Sequence, residues 1–141
     1  MSTEIVYVLT GLAAVVVVLT RLRLGQDDGG AGRADVGRMT LNVHTGAGVL
    51  ALIAWVVFLF ADESLGDDRA AMVGIIALTL WWVVVIAGLL ILVRWLPTHG
   101  KHASTGTEDT WSEGPGLSIL AHVGMFAGVC VFTYAYLNSV V

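Results

Sequence analysis

Four stretches of this chain are apolar for so long that membrane-crossing helices are the only economical way to fold them. Runs such as VVVVL at 15–19 and WWVVVIAGLLILV at 81–93 show no apolar–polar alternation, so they do not read as β-barrel strands. Hydrocarbon offers backbone groups no water, and a helix satisfies them within one segment. The chain is 57% hydrophobic and only 13% charged, and the charges fall in short blocks between the apolar runs. The expected fold is therefore all-α, an integral membrane four-helix up-down bundle. Residues 1–141 form a single transmembrane domain, with helices near 3–21, 39–61, 70–95 and 117–139. Each has about the ~20 residues needed to cross ~30 Å of hydrocarbon. What remains is too short for a separate soluble domain.

The first segment does not look like a cleaved leader. It lacks a basic start and a small-residue cleavage site, and Arg21 and Arg23 follow it. Six of the seven basic residues lie in or beside the first and third connections: Arg21, Arg23, Arg33, Arg38, Arg94 and Lys101. The second connection, ADESLGDDR, holds four acids and one arginine. The positive-inside bias then places connections 22–38 and 96–116 in the cytoplasm of a multi-pass cell-membrane protein, with both termini outside. No basic stripe suggests nucleic acid. The first connection is rich in Gly and Asp and reads as a solvated turn. The third, 96–116, is the longest; Pro97 limits the helix before it, and Gly114-Pro115-Gly116 makes a sharp turn into the next.

Ionisable side chains within hydrocarbon are rare and mark functional positions. Two histidines qualify. His44 lies in LNVHTGAGVLALIAWVVFLF and His122 in LSILAHVGMFAGVCVFTYAYL. Each is about five residues into its segment, roughly 7–8 Å below the same end. Segments two and four run in the same direction and are diagonal partners in an up-down bundle, so the imidazoles are placed to face each other across the core. Helical spacing puts Thr40, His44, Gly48, Ala51 and Trp55 on one face, and Ser118, His122, Met125, Val129 and Thr133 on another. Gly46, Gly48, Gly124 and Gly128 follow the histidines. They leave room for a flat macrocycle, or, as Gly124-x-x-x-Gly128, for close helix packing, which is the more frequent use of that pattern. His99 and His102 fall on the same side, beyond the third segment. Trp55, Trp81, Trp82 and Trp95 read first as packing and interface anchors.

Cys130 stands alone in apolar surroundings and is expected to be a buried, inert thiol, which excludes an intrachain disulfide, a four-cysteine cluster or covalent haem attachment. The sequence contains neither a phosphate-binding loop nor an H-E-x-x-H motif. No catalytic constellation is present; a non-catalytic redox subunit is the most an enzyme reading supports.

A four-helix membrane bundle with one histidine on each of two same-direction helices resembles the haem-b anchor subunits of respiratory enzymes. The resemblance rests on His44, His122 and their glycines, and is one of arrangement. It implies haem b with His44 and His122 as axial ligands and Gly48 and Gly124 beside it. It further implies Arg38 and Arg94 near its propionates, and electron exchange with quinone or other membrane or respiratory subunits. Three readings stay open: this electron-transfer subunit, a cofactor-free accessory or scaffold subunit whose histidines are satisfied bundle polars, and a metal- or small-solute-handling protein that also uses His99 and His102. The lipid bilayer is a partner in all three.

Single cysteines at Ser64 and Ser104, in a background lacking Cys130, are expected to label from opposite faces of intact cells with an impermeant maleimide. Labelling of Ser104→Cys from outside reverses the topology.

Overall fold

The computed structural model describes residues 2–25, 38–60, 62–95 and 115–141. These form four long helices and one short one: α1 (Thr3–Gly25), α2 (Arg38–Phe60), α3 (Asp62–Leu65), α4 (Asp67–Trp95) and α5 (Pro115–Leu137). The expected spans agree to within a few residues at most boundaries. The additional turn α3 and Gly66, at φ +77°, take the chain sharply from α2 into α4. Only glycine adopts that left-handed conformation without steric cost.

α2, α4 and α5 contain stretches long and apolar enough to cross a membrane: Asn42–Phe60, Asp67–Leu90 and Ile119–Leu137. The apolar part of α1, Thr3–Leu19, is shorter, at the lower limit of about 17 residues for a span. Large apolar side chains face outward on every long helix, among them Leu12, Leu50, Ile53, Ile86, Leu90 and Leu120. An exterior this apolar matches a lipid solvent.

The helices pack as a ring, α1 against α2, α2 against α4, α4 against α5 and α5 against α1. This is the up-down bundle, with α2 and α5 diagonal across the core. The α2–α4 seam is the most extensive. The core is aromatic: Trp55, Trp81 and Phe132 are fully buried. Trp55 stacks on Phe132 at 4.7 Å and 27°, and Trp81 tilts against the same ring at 6.0 Å. Trp55 and Trp81 are thus core residues, not interface anchors. Two indoles are tied across helix seams. Trp55 Nε1–H donates to Thr10 Oγ1 (3.0 Å), whose hydroxyl donates to the Val6 carbonyl (2.8 Å). Trp82 Nε1–H donates to Thr133 Oγ1 (3.1 Å), whose hydroxyl donates to Val129 (2.8 Å). Each link is worth about 0.6–2 kcal/mol in a membrane.

Two expectations about small residues are corrected. A Cβ built at Gly124 or Gly128 meets nothing within 4 Å, so this Gly-x-x-x-Gly pattern makes no close seam among the described residues. Close approach occurs instead on α4. A Cβ at Gly74 would lie 2.6 Å from Tyr136 Cε2 and 3.0 Å from Phe58 Cδ2. Cys130 is exposed, not buried, because it follows buried Val129 by one residue, about 100° around the helix, and so falls on the outward face of α5.

Gly74→Ala is therefore expected to destabilise the bundle by about 1–3 kcal/mol, as overpacking does. Gly124→Ala is expected to be near neutral. Thermal unfolding in detergent, followed by circular dichroism, distinguishes the two.

Candidate functional site

α2 and α5 each carry one histidine inward, at the same level of the bundle, because each sits on the phase that buries Gly48, Ala51 and Trp55 or Val129 and Phe132 farther along the helix. Both rings are half-buried. The centroids of His44 and His122 are 6.2 Å apart and the ring planes are inclined by only 13°. The sequence expectation of a facing pair is thus met in geometry, across a diagonal where the two helices are not neighbours.

A third residue completes the arrangement. Gly88 of α4 is buried beside the pair. A methyl group there would lie 2.7 Å from His122 Cδ2, 3.0 Å from His44 Cε1 and 3.1 Å from His122 Nε2. Real Cβ atoms essentially never approach as closely as the first of these distances, and the other two are tight, so a side chain at this position would force the rings to shift. Sequence reading missed Gly88, which sits without motif in the run VVVIAGLLILV. A signal was present. Gly74, Trp81 and Gly88 recur every seven residues, so they share one face of α4 two turns apart.

The other expected residues separate into groups. Gly48 lies inside the bundle one turn from His44, and a Cβ built there would sit at ordinary contact distance from Val17 (3.8 Å) and Val84 (4.0 Å), so this position tolerates a methyl group. Gly124 lies on the exposed side of α5. Arg38 opens α2 and Arg94 falls in the last turn of α4, each six residues from the site along its helix, or about 9 Å. Their side chains, like those of Thr40 and Ser118, are outside the described set. His99, Lys101 and His102 lie outside the described residues altogether.

The polar balance at this level is unusual. Among the described side chains, His44 Nδ1 and Thr45 Oγ1 are buried without a hydrogen-bond partner, and Trp81 Nε1 shares that condition nearer the middle of the bundle. Buried polar atoms are normally satisfied, and an orphan in an apolar setting costs about 1–3 kcal/mol. Among the described residues no group of three or more His, Cys, Asp and Glu side chains is placed to hold a metal ion. Among the described side chains the candidate donors at this level are the two imidazoles.

This separation has a chemical meaning. A metal–imidazole nitrogen bond is about 2 Å, so one metal ion held between two imidazoles would need ring centres several ångströms apart, and those of His44 and His122 are 6.2 Å apart. Comparison of the chain with family models, with curated proteins and with solved structures returned no match.

Gly88→Ala is expected to drive the rings apart while leaving the aromatic core intact. Tryptophan fluorescence should be nearly unchanged. Binding of divalent nickel or copper to the imidazole pair, read by d–d absorption in detergent, should weaken by about tenfold or more, on the scale of overpacking strain. Undiminished binding would show that Gly88 does not set the pair.

Proposed function

We propose that this protein is a small bis-histidine haem-b electron-transfer subunit of a membrane complex. The observation that carries the reading is the His44–His122 pair, 6.2 Å apart and nearly parallel, with a glycine where any side chain would collide. Two axial nitrogens are the whole protein contribution that a six-coordinate haem iron needs. A closed zinc site needs about four protein ligands. His44 Nδ1, buried without a hydrogen-bond partner, supports this reading over one in which both rings are satisfied bundle polars.

Haem bound there supplies a one-electron couple between ferric and ferrous iron. The chain's own residues supply the rest. His44 and His122 would hold the haem iron through ring nitrogens carried on two helices that are fixed by their neighbours. Gly88 keeps the space beside the rings clear. Buried Val84 and Val85 exclude water from the next turn of α4. Arg38 and Arg94, at one end of the bundle and about 9 Å from the site along their helices, have the charge and register to pair with carboxylates at its edge. The arginine bias puts that end on the cytoplasmic side. A quinone or a neighbouring subunit would be the electron-exchange partner.

Protein expressed with ample haem is expected to show, after dithionite reduction, the sharp α band of a six-coordinate b haem. His44→Ala and His122→Ala should each abolish it, while His99→Ala and His102→Ala should spare it. The small angle between the ring planes further predicts a rhombic low-spin ferric resonance. A colourless, folded wild type that takes up no added haemin refutes the proposal in favour of the scaffold role.

A further inference from the structure

At the end of the bundle away from the histidines, the four long helices open into a cavity of about 530 Å³. That is the size of a small-molecule site. Phe58 and Tyr136, each fourteen residues along its helix from a histidine, place it about 21 Å from the pair. Tyr7, Phe58 and Tyr136 line it together with Asp67, Ala70 and Ala71.

The rings are held in place before any ligand arrives. Phe58 rests between Trp55 (5.2 Å) and Tyr136 (5.5 Å). The Tyr136 hydroxyl donates to the Ala71 carbonyl oxygen at 3.0 Å, and Tyr7 stacks on Phe60 at 5.7 Å. Gly74 lets Phe58 and Tyr136 close onto α4. Charge at this end is one-sided. Among the described residues the helix starts here carry Glu4, Asp62, Glu63, Asp67 and Asp68 against Arg69 alone, and of the described side chains among these only Asp67 lines the cavity.

We infer that this cavity binds a methylated ammonium group. Aromatic faces carry negative quadrupole charge and attract a cation that keeps an apolar surface. The carboxylate of Asp67 adds the opposite charge. A primary ammonium or a divalent metal ion is strongly hydrated and needs several oxygen ligands. Of the hydroxyls in the lining, that of Tyr136 is already committed to Ala71, and among the described residues no group of three or more His, Cys, Asp and Glu side chains is placed to hold a metal ion. A quaternary ammonium has no N–H to satisfy, and its methyl surface suits walls of Phe, Tyr and Ala. Two sources share that chemistry: a choline lipid headgroup, and a free choline-like solute. The inference does not depend on what the histidines bind.

The test is calorimetric titration of the full chain with choline, in phosphatidylglycerol nanodiscs. Saturable binding is expected. The neutral carbon isostere of choline, Asp67→Asn and Phe58→Leu should each weaken it by about fivefold or more. Asp67 is exposed at a helix start, so Asp67→Asn is expected to keep the wild-type circular dichroism and decides the matter even if Phe58→Leu misfolds. Repeating the titration in phosphatidylcholine nanodiscs separates the sources. Loss of choline binding there identifies a lipid headgroup, and unchanged binding identifies a free solute; either supports the site. No saturable binding in phosphatidylglycerol, equal binding of the neutral isostere, or an Asp67→Asn variant that binds like the wild type overturns the inference.

Discussion

In hydrocarbon, two helices gain nothing by hiding apolar surface from each other, so the seam between α2 and α4 has to be held by close contact and by internal hydrogen bonds. Small and shaped residues make that contact. Buried Ala51 and Ala77 let the aromatic core close, and Gly74 and Gly88 admit rings from α2 and α5 against the α4 backbone. The rest of the bundle is arranged around this seam. α1 is tied to it through Trp55 and Thr10, and α5 through Trp82 and Thr133. With α2 and α4 fixed, the position of His44 is set, and α5 can bring His122 opposite only because α4 has no side chain at residue 88.

Most of the architecture was legible because lipid imposes it. Uninterrupted apolar runs admit one kind of backbone, and the charged blocks mark where each run must stop. The facing histidines were legible for the same reason: equal depth and equal direction follow from counting residues. The site's third wall was not. A glycine inside a membrane helix is common, and nothing local separates Gly88, on which two rings lean, from Gly124, which meets nothing. Hydropathy fixes how deep a residue sits but leaves the rotation of an almost wholly apolar helix open. That is why Cys130 turned outward and why Trp81 and Trp82 received different surroundings. The distinguishing information was the sevenfold spacing of Gly74, Trp81 and Gly88, which is visible only when the whole helix is read as one face.

The two ends of the bundle offer different chemistry on a shared frame. One holds a pair of imidazole nitrogen donors between arginine-bearing helix ends; the other holds fixed aromatic rings and a carboxylate. Between them lies the packed layer of Trp55, Trp81 and Phe132, about 16 Å from His44 to Trp55 along α2. That layer carries no charged group and leaves one indole N–H, that of Trp81, unpartnered.

The spacing on α4 also constrains how this chain can vary in length. Gly74 and Gly88 are read by different partners at opposite ends of one continuous rod, so each fixes the angular setting of the other. One residue inserted between them would rotate the far half by about 100° and carry one glycine off its ring. An insertion of seven would restore the phase but lift one end away from its aromatic or imidazole partners by about 10 Å. A substitution can be absorbed locally, whereas a change of register in this helix cannot. α4 therefore acts as a gauge that measures the distance and the angle between the two ends, and its length between the two glycines is the dimension of the molecule least free to drift.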